Sequence, residues 1–533
     1  MNERLVDDWL TNANERSYQT PFAQSLIAKG MQVLRVGHSP FEHGKDIIAR
    51  DQDDKIHAYQ LKTGDIDLKR FEDGFGQLTA LVETQVEHSS IRTRTEHAPW
   101  LVTSGHISPP VEDRVRVHNE TWRRRGFEPL RIIDGRQLLT TFVEMASNFW
   151  PQRPEDARAL FSLYLADGNT TLDRDAFAKV ISSVTSVRDG NGRIAVLRKL
   201  SAANLFASYA LAPFDRGENH WELIQGWTIA AAQIAWAAEH AHLAAAQWTP
   251  TFRLAADAAI NAVNNLAAEA LEENALHPKG LELDELTRSR CTICAGLIAA
   301  NVLIHRIRGQ PWDQESKAKN LLECLFNDAR LYLWGESAVP FFLVMIWALD
   351  QLRADFFPDS ILFNVIAALS HVNSRFRGPK LPPPYDSADD AILKMLGWQL
   401  DQFKAQELQS AASYTLEPLV LISASRLWKN ALAACWSEIG KIDLLRVVPD
   451  EPDDLLLWQW GYERGANQSR RFPAPQSWPA LLIEARRGEL DSLPSVIKEN
   501  LDFALLFPLC FPHRLTRPLA KFLEQSTRHL PTC

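Results

Sequence analysis

The sequence predicts an α/β N-terminal domain, a mixed sheet flanked by helices, followed by a large mainly α-helical C-terminal region. Three observations carry this reading. Up to about Glu144, short β-rich runs alternate with helical stretches. Beyond it, Ala, Leu and Trp recur at helical spacing, as in Trp221 to Trp248 with Ile229, Ile234 and Trp236, and β signals nearly vanish. Finally, 533 residues exceed what a single core of about 250–300 residues can organise, so two or three domains are expected.

In chain order, Met31 to Val36, Asp46 to Arg50, Ile56 to Lys62, Trp100 to Ser104 and Leu130 to Ile133 read as strands. A boundary is expected in Trp150-Pro151-Gln152-Arg153-Pro154, where paired prolines break helix and ladder alike. Two further breaks are expected, at Gly378-Pro379-Lys380-Leu381-Pro382-Pro383-Pro384 and in the Pro- and Asp-rich stretch from Val448 to Trp478. The expected domains are therefore 1–148, a helical domain at 155–375 and a helical subdomain at 386–533, the last two being candidates for one continuous body. No fixed-period repeat supports a solenoid.

A hydrophobic share of 46% and a charged share of 23% are those of a globular protein. The formal charge of −9 argues against a chain that coats nucleic acid over its whole surface, so any such contact needs a local basic patch. The apolar runs Ala338 to Leu349 and Cys291 to Ile304 fall short of the roughly 18–20 residues that span a bilayer, and they read as buried core helices. No membrane contact is expected. Met-Asn-Glu-Arg followed by Asp7 and Asp8 lacks the order of a secretory signal, so a cytoplasmic location is expected. Six cysteines (Cys291, Cys294, Cys324, Cys435, Cys510, Cys533) imply no disulfide framework, and Cys291-x-x-Cys294, opening an apolar run without a second pair, reads as buried helix cysteines. No Walker-type phosphate loop is present.

Chemistry concentrates in Glu42-His43-Gly44-Lys45-Asp46-Ile47-Ile48-Ala49-Arg50 and Ile56-His57-Ala58-Tyr59-Gln60-Leu61-Lys62, joined by the polar Asp51-Gln52-Asp53-Asp54-Lys55. This is a hairpin whose alternation places Ala58, Gln60 and Lys62 on one face and Tyr59 and Leu61 on the other. A carboxylate on one strand and a polar-x-Lys on the next would converge where a divalent cation and a water can sit, the set that phosphodiester hydrolysis needs. Hard oxygen ligands such as Asp46 and the Gln60 carbonyl suit Mg²⁺ or Mn²⁺. The plainer interpretation of Asp46 and Lys62 is an exposed ion pair worth at most about 1 kcal/mol.

Gly-Lys-Asp-Ile-Ile-Ala followed by Gln-Leu-Lys resembles the PD-(D/E)xK nuclease superfamily, in particular Mrr-like restriction endonucleases, whose second motif is often Gln-x-Lys. The likeness extends over residues from about 15 to 145: Phe22, Leu26 and Gly30 sit in a helix-then-strand entry, and Pro99 to Gly105 and Arg131 to Gly135 look like later core strands. It implies a restriction-endonuclease-like N-terminal domain in which Asp46, Gln60 and Lys62 are catalytic. Asp46 and Gln60 would bind metal, and Gln19 is an additional candidate. One departure is that Gln19 stands where the family's first helix commonly presents Glu, and Glu42 or His43 would supplement the site. His38 reads as structural.

Arg114, Arg116, His118, Arg123, Arg124 and Arg125, with Lys69, Arg70 and Trp122, form a basic segment whose functional interpretation is phosphate contact. Gln77 is a further candidate for reaching a phosphate. The expectation is a Mg²⁺-dependent deoxyribonuclease, an antiviral restriction effector controlled by its helical region through homo-oligomerisation or a docked partner protein. RNA cleavage would use the same centre. The alternative is a catalytically weak or inactive nucleic-acid-binding scaffold subunit of a defence complex, for which Gln19 is the best support.

Overall fold

The computed structural model describes residues 2–37, 45–86, 88, 91, 96–146, 153–186, 192–272, 276, 284–327, 330–353, 358–375, 380–395, 411–458, 469–473, 477–487 and 490–530. The chain divides into two compact units, Met1–Asn261 and Ala262–Cys533.

The first unit begins with α1 (Asn2–Asn12) and α2 (Glu15–Ala28), then β1 (Gln32–Val36), β2 (Ile47–Arg50), β3 (Ile56–Lys62), α3 (Leu68–Glu83), β4 (His97–Thr103), α4 (Pro109–Arg124), β5 (Arg131–Ile133) and α5 (Gly135–Ala146). All five expected strands are present, with ends shifted by up to three residues. They form one sheet in the order β1-β2-β3-β4-β5, antiparallel from β1 to β3 and parallel from β3 to β5. The central strand β3 is buried from Ile56 to Leu61 because helices cover both of its faces. On one face Ala58 and Leu101 pack with Phe71, Leu78 and Leu81 of α3 and Val111, Val115 and Trp122 of α4. On the other, Phe22 of α2 meets the Tyr59 ring edge-on at 5.3 Å.

Local chemistry sets these elements. Asn14 caps α2 by accepting from the Ser17 amide at 2.8 Å, and Asp67 caps α3 by accepting from Arg70 N at 2.8 Å. The hairpin turns on Asp51, whose Oδ1 accepts from the amides of Asp53 (3.0 Å) and Lys55 (2.9 Å), while Asp54 adopts φ 63°. Gly30, at φ 83°, ends α2 and turns the chain into β1.

Five more helices complete this unit: α6 (Pro154–Tyr164), α7 (Arg174–Thr185), α8 (Arg193–Arg216), α9 (His220–His240) and α10 (Ala245–Ala270), the last running past its boundary. Of these, α6, α7, α8 and α9 pack on one another, and α8 lies against α2. Gln24 of α2 is fully buried there: it donates to Ser201 Oγ at 2.9 Å and accepts from Asn204 Nδ2 at 2.8 Å, while Asn204 also donates to the Thr251 carbonyl at 3.0 Å. The expected breaks near residues 150 and 380 therefore fall inside compact units, not between them. Proline punctuation marks loops but does not reveal that α2 is shared by the sheet and the helices.

The second unit contains α11 (Asp284–Ile307), α12 (Glu315–Asn327), α13 (Val339–Gln351), α14 (Pro358–Asn373), α15 (Ala388–Met395), β6 (Ala412–Ser413), α16 (Leu416–Ser425), α17 (Lys429–Ile439), β7 (Asp443–Val447), β8 (Ser469–Phe472), α18 (Trp478–Arg486), α19 (Ser495–Glu499), α20 (Leu501–Cys510) and α21 (Arg517–Arg528). It is mostly helical as expected, but it carries a small sheet, β6-β7-β8, that strands of two to five residues hid from pattern reading. Cys291 and Cys294 lie on α11, and burial pushes the Cys291 thiol up and the Cys294 thiol up to about 12. Glu285–Ile307 is long and apolar enough to cross a membrane, and 72% of its apolar window is buried, as in a core helix.

Candidate active site

The site gathers where β3 outruns β2. The last β2–β3 pair is Ile47 with Tyr59, so Leu61 lies beyond the ladder. Asp46 supplies what the missing strand would have supplied: its amide donates to the Tyr59 carbonyl at 2.8 Å, and its Oδ2 accepts from Leu61 N at 2.6 Å. The carboxylate thus sits against the main chain between Gln60 and Lys62, the two residues paired with it on sequence grounds.

Gln60 points to the α3 face and is 2% exposed. Its Nε2 donates to Gln77 Oε1 at 3.0 Å, and its own Oε1 is buried with no hydrogen-bond partner among the described residues. A buried acceptor left without a donor costs about 1–3 kcal/mol, and a cation is one way of satisfying it. Gln77 is exposed and serves here to orient Gln60.

Lys62 departs from its expected face. Alternation puts it with Gln60, yet at the end of the strand its ammonium turns to Glu15 Oε1, 3.6 Å away, on the first turn of α2. Its backbone is held by Tyr18 of the same helix, whose hydroxyl donates to the Lys62 carbonyl at 2.7 Å and accepts from the Lys62 amide at 3.0 Å. Burial, reinforced by Glu15, raises the Tyr18 phenol well above its usual range, so the hydroxyl keeps its proton.

Gln19 is 5% exposed and directs its Nε2 at the carbonyls of Asp46 (3.3 Å) and Gly37 (3.4 Å). It holds the chain that carries the acid. Lys45, beside Asp46, is 2% exposed; its Nζ donates to the Ala80 carbonyl at 3.3 Å, and burial, with Arg35 nearby, lowers it to about 8. His38, Glu42 and His43 lie outside the described residues.

Sequence reasoning missed Glu15 and Tyr18. The available signal was their spacing from Gln19, since Glu15, Tyr18 and Gln19 stand at i, i+3 and i+4 on one helix face. Among the described residues no three His, Cys, Asp or Glu side chains are grouped to hold a metal. The oxygens that fit a hard cation are those of Asp46 and the unpartnered Gln60 carbonyl.

The basic segment divides in two. Arg114 pairs with Glu72 at 3.5 Å, Arg116 with Asp113 at 2.8 Å, and Arg125 with Glu83 at 2.8 Å, while Arg70 donates to the Asp65 carbonyl at 3.0 Å. Trp122 is buried and His118 packs on Phe75 at 4.3 Å between ring centroids, so both belong to the α3–α4 core. Lys69, Arg123 and Arg124 are exposed and have no acidic partner among the described residues. No family model, curated protein or solved structure matches the chain.

Proposed function

We propose that the chain is a metal-dependent endonuclease acting on DNA phosphodiesters, with Asp46, Gln60 and Lys62 as its reacting centre. The observation that carries this reading is the Asp46 carboxylate lodged against the β3 main chain between Gln60 and Lys62, on a strand where the buried Gln60 oxygen is in want of a partner. Asp46 and Gln60 would hold Mg²⁺ or Mn²⁺, which when bound supplies charge neutralisation and a more acidic water. Lys62 would place its ammonium against the extra negative charge of the phosphate in the transition state. Lys69, Arg123 and Arg124 offer exposed cations for the nucleic-acid backbone. The family resemblance adds a restriction or antiviral role in the cytoplasm, with the helical region controlling cleavage through self-association or a partner protein.

A second interpretation, a nucleic-acid-binding scaffold with little or no turnover, is favoured by one feature: Asp46 spends an oxygen on a backbone amide, and the Gln19 amide faces the main chain. Plasmid, single-stranded DNA and RNA incubated in Mg²⁺, Mn²⁺ and EDTA, beside Asp46→Ala and Lys62→Ala variants, separate the two. Metal-dependent cutting lost in both variants supports the enzyme. Binding retained by all three proteins without any cutting supports the scaffold.

A further inference from the structure

One helix face touches both charged members of the centre. Along α2, Glu15 meets the Lys62 ammonium, Tyr18 the Lys62 backbone and Gln19 the carbonyl of Asp46. The Tyr18 contact is unusual in kind. In the parallel β3–β4 ladder Lys62 is paired with Thr103 and Ser104 N donates to the Lys62 carbonyl at 3.1 Å; this register directs the Lys62 amide toward Val102 O. The Tyr18 hydroxyl stands at that junction, 3.0 Å from Lys62 N and 3.4 Å from Val102 O. A side chain from another layer thus adds its own hydrogen bonds beside the ladder at the one residue whose ammonium the chemistry needs. Tyr18 is itself fully buried, and six residues on, Gln24 ties the same helix to Ser201 and Asn204 of α8. The hydroxyl is therefore delivered from a fixed support.

Resting on the endonuclease reading, we propose that Tyr18 is a positioning residue for Lys62: by bonding both backbone groups of that residue beside their β4 partners, its hydroxyl tightens the end of β3 and so fixes where the ammonium starts. Glu15 completes the placement from the other end of the same side chain. Neither residue touches the scissile phosphate in this scheme. The two contacts act on different atoms and are separable.

The test uses the full chain, its Tyr18→Phe and Glu15→Gln variants, hydrogen–deuterium exchange of the peptide containing Lys62, and plasmid cleavage in Mn²⁺. Tyr18→Phe is expected to speed exchange at the Lys62 amide about tenfold, the size of the one hydrogen bond lost at that amide, and to lower kcat about tenfold with KM within about twofold. Glu15→Gln is expected to leave exchange unchanged and lower kcat about threefold, as for a half-exposed ion pair. Unchanged exchange in Tyr18→Phe overturns the clamp, and faster exchange with wild-type kcat overturns its role in positioning. Should Tyr18→Phe fail to fold, wild-type kcat in Glu15→Gln overturns the placement of Lys62 from α2. A wild-type chain that cuts no plasmid sinks the endonuclease reading instead, and the exchange rates alone then decide whether Tyr18 holds Lys62.

Discussion

Asp46 has two duties in this structure, and a pair of substitutions pulls them apart. Its Oδ2 accepts from Leu61 N at 2.6 Å, a bond to an ionised acceptor that contributes about 1.5–3 kcal/mol. Asp46→Ala removes the acceptor and strands an amide that β2 does not reach. Asp46→Asn keeps an oxygen in the same place and removes only the charge. At about 2–4 °C per kcal/mol for a domain of this class, Asp46→Ala should melt about 3–12 °C below wild type and Asp46→Asn within about 2 °C of it. The assay is thermal unfolding followed by circular dichroism, paired with Mn²⁺ titration by calorimetry. Both variants should lose the metal heat, because the charge is what the cation requires. Two results refute the reasoning: equal destabilisation, which would mean that the amide cap contributes nothing, or Mn²⁺ binding that survives in Asp46→Asn.

Other outcomes follow from single side chains. Gln60→Leu, which removes the unpartnered oxygen, should leave the melting temperature within a few degrees of wild type while weakening Mn²⁺ binding at least tenfold in the same calorimetric titration. Lys45 is lowered to about 8 from 10.5, so below pH 8 both folded and unfolded chains hold its proton and the burial penalty, at most about 3 kcal/mol, is fully felt; the penalty is relieved as pH rises from 8 toward 10.5. Lys45→Met should thus be more stable than wild type at pH 7 by urea unfolding, with the gap closing toward pH 10.5. Hydrogen bonding from His57, at 2.9 Å, lowers the Asp51 carboxyl, so its contribution is present above the usual carboxylate range and lost as pH falls through it. Asp51→Asn should flatten the acid limb of stability against pH. Replacing Lys69, Arg123 and Arg124 by Ala should lower the slope of log affinity against log salt by about 0.9 for each phosphate no longer neutralised, measured by fluorescence anisotropy on duplex DNA; an unchanged slope would remove them from the interface.

The hairpin was readable because strand alternation and an Asp-rich turn are local signals, and β3 runs from Ile56 to Lys62 as expected. Gln60 followed alternation because α3 covers it. Lys62 did not, because it is the last residue of its strand and a long side chain there is free to reach another layer. Glu15 and Tyr18 were illegible as site residues for a related reason: they approach Lys62 across more than forty positions of chain, and only the packing of α2 beneath β3 brings them together. The small β6-β7-β8 sheet escaped because β6 has two residues and no alternating run to detect. The basic segment read as one patch in sequence, but three of its arginines are matched with acids across α3 and α4 or along their own helix.

The amide bridge from Gln24 to Ser201 and Asn204 has a practical consequence. A fragment cut at the proline-rich stretch near residue 150, the place where sequence punctuation invites excision, would keep α2 but strip away its partner. Gln24 would then stand unsatisfied amid bared apolar surface, and the isolated piece should aggregate, whereas a cut beyond α10 keeps the whole support of the helix that carries Tyr18.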